Sequence, residues 1–365
     1  MVTWFTLPNN DYIATVLALN SVLFPFPTLS SLRPPLSASP PALPLAPSMS
    51  KGPTALAITL GGSTAGVYGL STFAKGGQSL IHAYLISMAM QFVMFLHASG
   101  IVFGNAPTER FYDLTGSTTF VVLTLLSLHW NWENVSLRRG ILASLVLIWA
   151  LRLGTFLFER INRDGGIDHR FTEAKKNPYR FAIFWTLQGL WVFITAFPVL
   201  LVQSLDPGKK NSNLSLSSLD YLGLLIWLVG FGVEVIADNQ KKAFKLNPKN
   251  ENKFIHTGLW SISRHPNYFG EISLWIGVFL VSMSEYTSKR QYVAIISPVF
   301  VASLLIFVSG VPLLEKSSDR KFGYLKDYQE YKRKTSVLVP YPRLALTIAL
   351  AVTIAVITYK LTLKF

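Results

Sequence analysis

The chain has 365 residues, of which 50% are hydrophobic and only 14% charged, and its mean hydropathy is +0.38. A soluble domain carries roughly 25% charged residues, so a large soluble protein is disfavoured, and the net charge of +14 indicates basic loops and contacts with anionic membrane lipids rather than a nucleic-acid partner. The absence of cysteine excludes disulfides, thiol nucleophiles and cysteine-ligated metals.

Residues 1–53 are predicted to form a flexible segment. An early apolar stretch is interrupted by Pro25 and Pro27, and residues 34–47 are rich in Pro, Ser and Ala. This composition is typical of extended linkers. Because the first 50 residues are poor in acids and rich in Ser, a targeting segment is the alternative interpretation.

Apolar runs separated by blocks of charge predict an all-α, polytopic membrane helix bundle, since a helix needs about 20 apolar residues to cross a bilayer. We divide it into N-terminal membrane helices at 54–104, a main membrane domain at 105–342 and a C-terminal membrane helix at 343–365. In the first span, Gly62 and Gly66 have the spacing of a close helix contact. The nine predicted spans are 54–73, 79–103, 111–130, 140–158, 181–204, 219–238, 269–284, 291–314 and 343–359.

The basic residues of the loops predict which ends of the spans share one side of the membrane. Loops 159–180 and 239–268 hold six Lys and Arg each and segment 315–342 holds seven, whereas the loops between them hold two each. Basic loops mark the cytosolic side. Glycosylation sequons at Asn134 and Asn213 fall in the opposite loops, which indicates the endoplasmic reticulum.

Two further stretches of these basic loops are informative. Residues 158–171, FERINRDGGIDHRF, form a polar segment with a predicted turn at Gly165 and Gly166. In residues 315–334, aromatic and apolar side chains recur every three residues between charges. That pattern predicts a helix lying along the membrane surface.

The densest polar cluster between two predicted spans is SRHPNYFGE, residues 263–271. Pro266 is favourable only in the first turn of a helix, so a helix is predicted to begin there. Its N-terminus and the Arg264 guanidinium would suit a phosphate, and Asn267 and Glu271 lie in its first turns. Ordinary membrane-interface residues are the alternative, but so many polar groups together favour a cofactor site facing the cytosol.

Two more residues support a site near this cluster, and a third, Arg152, has a structural interpretation. Glu234 and Asp238 share one face at the end of a predicted span and could hold a ribose; the alternative is a solvated helix end paired with lysines. Arg152 lies inside an apolar run and is expected to pair with an acid of the bundle or to extend toward the interface. No histidine pair has zinc-like spacing, so no metal is predicted.

The sequence around this cluster resembles the steroid 5α-reductase C-terminal domain, and more closely the broad, mostly uncharacterised membrane-protein group that shares it. The resemblance covers about 105–342 and rests on TERFYDLTGSTTF, RLGTFLFERI, NPYRFAIFWTLQGLWV, ADNQKKAFKLNPKNENKFIHTGLWSISRHPNYFGEISLWIG and GVPLLEKSSDRKFGYLKDYQEYKRKTSVLVP. It implies a reductase that uses NADPH on a carbon–carbon double bond of a lipid or sterol-like substrate. At matching positions it implies that Asp238, Asn267 and Glu271 hold NADPH, with Lys245 as a basic member of that set.

Reduction of an alkene requires one proton, for which we predict Tyr268 and His265 as catalytic residues. The alternative is a membrane methyltransferase using S-adenosylmethionine, of the isoprenylcysteine or phospholipid type, because those enzymes end in a related RHPxY stretch with a following Glu. The basic loops favour NADPH, whose phosphates are anionic. A non-catalytic scaffold or lipid sensor is a third hypothesis, and the oligomeric state is not predicted.

Overall fold

The computed structural model describes residues 52–163, 165–206 and 215–339. Within these ranges the protein is helical and has no strand, only an isolated bridge between Ser263 and Ser336. The predictions for residues 1–51 and 343–365 lie outside the described residues. The helices are α1 (Gly52–Ala74), α2 (Gly77–Ala98), α3 (Tyr112–Trp130), α4 (Leu137–Arg163), α5 (Pro178–Ser204), α6 (Ser218–Leu246), α7 (Pro266–Met283), α8 (Ile296–Ser303), α9 (Val311–Phe322) and α10 (Lys326–Lys334).

Five segments of the described chain are long and apolar enough to cross a membrane: α2, α4, α5, α6 and the composite segment Lys289–Phe322. This agrees with an integral membrane protein, but it does not support the predicted count of nine spans. Helices α1, α3 and α7 coincide with predicted spans yet are not among the five. Polar residues account for the difference in α7, which has only 18 residues and contains Asn267 and Glu271 in its first two turns.

Helices α6 and α7 are antiparallel and pack backbone to backbone. A Cβ added at Gly270 would lie 2.5 Å from the carbonyl oxygen of Gly230, and one added at Gly277 would lie 2.6 Å from that of Gly223. Only glycine permits so close an approach. At Gly62 and Gly66, whose spacing suits a close helix contact, no atom of the described residues lies within 4 Å of an added Cβ.

An ion cluster marks one end of the bundle. Arg138, at the start of α4, donates to Asp220 at the start of α6 and to Glu285 just after α7, each at 2.8 Å. Consequently the end of α4, the end of α6 and the start of α7 meet at the opposite end. Helix α5 also begins there, because a short connection after Arg163 leads to its N-cap, Asn177.

Tightly packed aromatic rings fill the middle of the bundle between the two ends. Trp149 of α4 and Trp275 of α7 pack edge to face with ring centroids 5.0 Å apart, and Phe120 of α3 contacts both. All three side chains are almost completely buried. This apolar layer separates the ion cluster from the polar residues at the other end.

Residues 315–334 form parts of two helices, α9 and α10, rather than one surface helix. Their aromatic residues face the loop before α7. Tyr328 is 4% exposed and packs edge to face on Phe254, and the Tyr331 hydroxyl donates to the carbonyl oxygen of Trp260 at 2.7 Å. The prediction of a helix whose aromatic face lies on the membrane is therefore not borne out, because that face covers the protein's own loop.

Candidate functional site

A buried arginine joins two carboxylates at the end of the bundle where α7 begins. Arg152 Nη1 lies 2.7 Å from Glu234 Oε1, and Arg152 Nη2 lies 2.8 Å from Asp238 Oδ2. Glu234 is 2% exposed and Asp238 is 6% exposed. The expectation that Arg152 pairs with an acid of the bundle is confirmed. The alternative of a solvated helix end is wrong, because a charge at this depth needs a partner.

Helix α7 begins at Pro266, as predicted, and His265 is its N-cap. Its first turn brings Asn267 to Asp238, where Nδ2 donates to Oδ1 at 3.2 Å. The other amide atom, Oδ1 of Asn267, is buried and has no hydrogen-bond partner in the described chain, and the same holds for Glu234 Oε2. Buried acceptors are nearly always paired, so the pair indicates a place where an external donor binds.

Glu271 lies one turn further along α7 and is half-buried. Among the described residues it has no hydrogen bond or ion pair. The structure therefore groups four predicted positions, Glu234, Asp238, Asn267 and Glu271, around Arg152. Three carboxylates face one guanidinium, which leaves the inner part of the site rich in acceptors.

The two predicted catalytic residues form a stacked pair. The rings of His265 and Tyr268 are 5.6 Å apart and nearly parallel, at 7°. Space for Tyr268 depends on Gly310, where an added Cβ would lie 2.9 Å from Tyr268 Cε2. No described residue hydrogen-bonds to the tyrosine hydroxyl, so it is free to act on a ligand.

His265 is held from behind by α9. Its Nε2 lies 3.0 Å from Glu315 Oε1, and its Nδ1 is buried without a partner among the described residues. Burial lowers the pKa of His265 below its usual range; Glu315 opposes this effect, while Lys241 and Arg264 add to it. A neutral ring follows at pH 7, with Nε2–H donating to Glu315 and Nδ1 left as an acceptor.

Arg264 forms no ion pair with Glu234, Asp238 or Glu271. Its Nε lies 3.3 Å from Glu315 Oε1, and its Nη1 donates to the carbonyl oxygen of Lys332 at 2.7 Å. Its backbone N–H donates to the carbonyl oxygen of Ser336. The predicted phosphate ligand thus fastens the loop before α7 to α9 and to the segment after α10.

Four cations surround the outer side of the site, and we call Arg160, Arg170, Lys241 and Lys245 the cationic rim. Arg160 and Arg170 lie within electrostatic range of the Tyr268 hydroxyl, and Lys241 lies within range of Asp238, Arg160 and Lys245. Lys245, one of the predicted ligands, is exposed at the end of α6.

The rim is only partly neutralised by acids. Arg160 pairs with Asp113 at 3.1 Å, and Arg170 pairs with Asp168 at 2.6 Å. Lys241 Nζ lies 4.7 Å from the centre of the Trp260 ring. The site is therefore layered, with cations outside and carboxylates inside.

Sequence reasoning noticed the polar segment that supplies two rim residues but gave them no role. Its predicted turn is present, since Gly165 and Gly166 have φ of +72° and +79°. Glu315 and Gly310 were missed because they lie about 40 to 50 residues after the cluster, and nothing local to them indicates a site.

The sequence profile of the DUF1295 family, described as proteins of unknown function, matches residues 101–335. The chain belongs to this family. Membership agrees with the resemblance to a broad group of uncharacterised membrane proteins, over nearly the same residues as predicted. The more specific resemblance to steroid 5α-reductases is still a prediction.

Individual relatives are distant or short. An uncharacterised protein of Schizosaccharomyces pombe is 22% identical over 243 residues, which cover 58% of this chain and 68% of that protein. The probable O-methyltransferase ustE of Ustilaginoidea virens is 44% identical over 46 residues, only 13% of this chain and 16% of the methyltransferase. No solved structure matches the chain.

Proposed function

We propose that the protein is a membrane-embedded, NADPH-dependent reductase of a carbon–carbon double bond in a lipid or sterol-like substrate. The observation that carries the proposal is the layered charge of the site, with the cationic rim outside the carboxylates and Tyr268 between them. A dinucleotide has the complementary layering, with phosphates at one end and an uncharged reduced nicotinamide at the other.

The described residues fit such a cofactor. The rim supplies cations for its phosphates, and Lys245 is available to the outermost ones. Asn267 Oδ1 and Glu234 Oε2 are buried acceptors without partners, which suits the hydroxyls of a ribose or the N–H groups of a carboxamide. Glu271 and Asp238 add further acceptors. When bound, NADPH supplies the hydride.

The protein's own groups supply the proton and the orientation. The Tyr268 hydroxyl would donate a proton to the carbon that does not receive the hydride. His265, stacked behind Tyr268 and bonded to Glu315, holds the phenol ring in place. Trp149 and Trp275 close the inner side and exclude water from it.

We also propose that the protein lies in the endoplasmic reticulum with the site facing the cytosol. The basic loops and the sequons support this location.

The test is binding of NADPH, NADH and S-adenosylmethionine to the detergent-purified protein. We expect NADPH to bind most tightly of the three. Asn267→Ala and Glu271→Gln should each weaken NADPH binding by about tenfold or more, because each removes roughly one hydrogen bond to a charged or buried group. Glu330→Gln is the matched control, since Glu330 is exposed and pairs with the neighbouring Lys334 at the surface. Unchanged NADPH affinity in both site variants would refute the site.

A methyltransferase that uses S-adenosylmethionine is the second candidate, favoured by the 46-residue similarity to a probable O-methyltransferase. Inner carboxylates would also complement a sulfonium cation. The same experiment separates the two functions. Binding of S-adenosylmethionine without binding of NADPH would replace the reductase by the methyltransferase, and binding of neither would favour a scaffold or lipid sensor.

A further inference from the structure

Helix α9 separates its charges onto two sides. Its acids lie on the inner side, where the Glu315 carboxylate lies 3.0 Å from both His265 Nε2 and Lys332 Nζ, and Asp319 lies 2.7 Å from Lys332 Nζ. The cations of α9 are exposed instead, and we call them the outer cationic face: Lys316, Arg320 and Lys321. One side of the helix is therefore neutralised within the protein, and the other side is not.

The outer cationic face has no acid of the protein to neutralise it. None of its three side chains forms an ion pair with a described residue, because the acids of α9 itself, Glu315 and Asp319, are paired on the inner side. The rest of the chain, residues 340–365, contains neither Asp nor Glu. Three unpaired cations within two turns of helix create a positive potential that attracts an anionic partner.

The chain directly before this face is exposed and apolar. Phe307 is 73% exposed, and Leu313, which lies one turn before the first cation, is 49% exposed. Both belong to the composite segment Lys289–Phe322, which is long and apolar enough to cross a membrane. A run of exposed apolar residues at the end of such a segment is typical of contact with acyl chains.

The cations begin where the polar layer of a bilayer would begin. At about 1.5 Å per residue, Arg320 lies at most about 11 Å beyond Leu313 along the helix. The headgroup layer on each side of the hydrocarbon is about 5 to 7 Å deep, and the long side chains of Lys and Arg adjust their charged ends to it. With Leu313 at the edge of the hydrocarbon, the outer cationic face therefore lies at the level of the headgroups.

We propose that the outer cationic face binds the headgroups of anionic phospholipids in the surrounding bilayer. Lys316 and Arg320 are neighbours one turn apart, so both can contact one headgroup. A lipid with a net negative charge is favoured over phosphatidylcholine, whose own ammonium group neutralises its phosphate. A soluble acidic partner fits less well, because the same side of α9 continues into exposed apolar residues. The inference does not depend on which cofactor the carboxylates bind.

The test uses the absence of cysteine from the chain. Ser317→Cys, at an exposed position beside Lys316, gives a single attachment point for a neutral fluorophore on the full-length protein in phosphatidylcholine nanodiscs. Phosphatidylserine and phosphatidylcholine, each brominated near the headgroup, are compared as quenchers at equal mole fraction. We expect phosphatidylserine to be enriched around the fluorophore about fivefold or more, since each cation near an anionic surface contributes about fivefold.

Ionic conditions distinguish a lipid headgroup from a free anion. Added salt should reduce the enrichment, because exposed charges are screened. Replacing chloride by inorganic phosphate at equal ionic strength should cause no further reduction. Specific competition by inorganic phosphate would overturn the proposal in favour of a site for a soluble anion.

Two variants and a second labelled position complete the test. Replacing all three cations of the outer cationic face with Gln should abolish the preference for phosphatidylserine. Lys249→Gln combined with Lys253→Gln is the control, because it removes two exposed cations from the loop before α7 and should leave the preference intact. A fluorophore at Ser144→Cys, exposed on α4, should be quenched equally by both lipids.

Three results would overturn the proposal. The first is equal quenching by the two lipids at Ser317→Cys, and the second is a preference that survives removal of all three cations. The third is quenching by neither lipid, which would place this face against water or a soluble acidic partner.

Discussion

Gly270 of α7 lies against the backbone of Gly230 in α6, so closely that a Cβ on Gly270 would lie 2.5 Å from the Gly230 carbonyl oxygen and 2.7 Å from the backbone nitrogen of Glu234. Because the helices are antiparallel, this contact brings Asn267 and Glu271 beside Glu234 and Asp238. The candidate site therefore depends on a contact between two glycines, neither of which has a side chain that could bind a ligand.

Gly270→Ala should destabilise the protein, because the new methyl group meets backbone atoms that cannot move aside. We expect the free energy of unfolding to fall by about 1 to 3 kcal/mol, as for overpacked cores. NADPH binding should also weaken. Thermal unfolding in detergent measures the first effect. Gly232→Ala is the control: no atom of the described residues lies within 4 Å of a Cβ there, so its unfolding temperature should be unchanged or higher. Equal behaviour of the two variants would contradict the packing argument.

Arg152→Met should be strongly destabilising, because it leaves two buried carboxylates without their cation. The expected loss is about 3 kcal/mol or more in the free energy of unfolding. Adding Glu234→Gln and Asp238→Asn to Arg152→Met should restore part of it, since the uncompensated charges are removed. Lys242→Met serves as the control, because its ion pair with Glu159 is at the surface and is worth less than about 1 kcal/mol. If the triple variant were no more stable than Arg152→Met, the uncompensated buried charges would not be the cause of the destabilisation.

Tyr268→Phe should separate binding from chemistry. The ring and its stacking on His265 are retained, so NADPH affinity should stay within about twofold of the original, whereas loss of a proton donor lowers turnover by about 100-fold or more. Turnover is measured as oxidation of NADPH in the presence of a membrane lipid extract. Tyr324→Phe is the control, because Tyr324 is 78% exposed. Full activity of Tyr268→Phe would remove Tyr268 from the mechanism.

The stability of the protein should decrease in mild acid through His265. Burial, with Lys241 and Arg264, outweighs Glu315 and lowers the pKa of this histidine below its ordinary value of 6.5. The unfolded chain then binds more protons than the folded one between the two pKa values. The contribution of neutral His265 to the free energy of unfolding is complete above about pH 6.5. It is lost as the pH falls toward the lowered pKa of the folded state.

Thermal unfolding in detergent measures how stability depends on pH. The scan runs from about pH 7.5 to about pH 5, which brackets the ordinary pKa of histidine. His265→Asn should flatten it, whereas His256→Asn, at an exposed position, should not. A slope identical in all three proteins would show that other groups control the acid response.

Local sequence patterns were sufficient to predict the helical membrane class and the start of α7 at Pro266. They also named pairing with an acid of the bundle as one of two alternatives for Arg152. These follow from local rules: hydropathy over one helix length, the missing N–H of proline and the cost of an isolated charge in an apolar run. The described residues do not support the predicted count of nine spans, because α1, α3 and α7 lie where spans were predicted but are not among the five segments that are long and apolar enough.

Which side chains share a site could not be predicted from the sequence and depends on how the helices pack. Arg264 and Asn267 are three residues apart, yet Arg264 pairs with Glu315 and Asn267 bonds to Asp238. Arg152 and Glu234 form an ion pair at 2.7 Å although 82 positions separate them. Helix packing joins residues far apart in the chain, and close approaches such as that of Gly230 and Gly270 fix the register in which they meet.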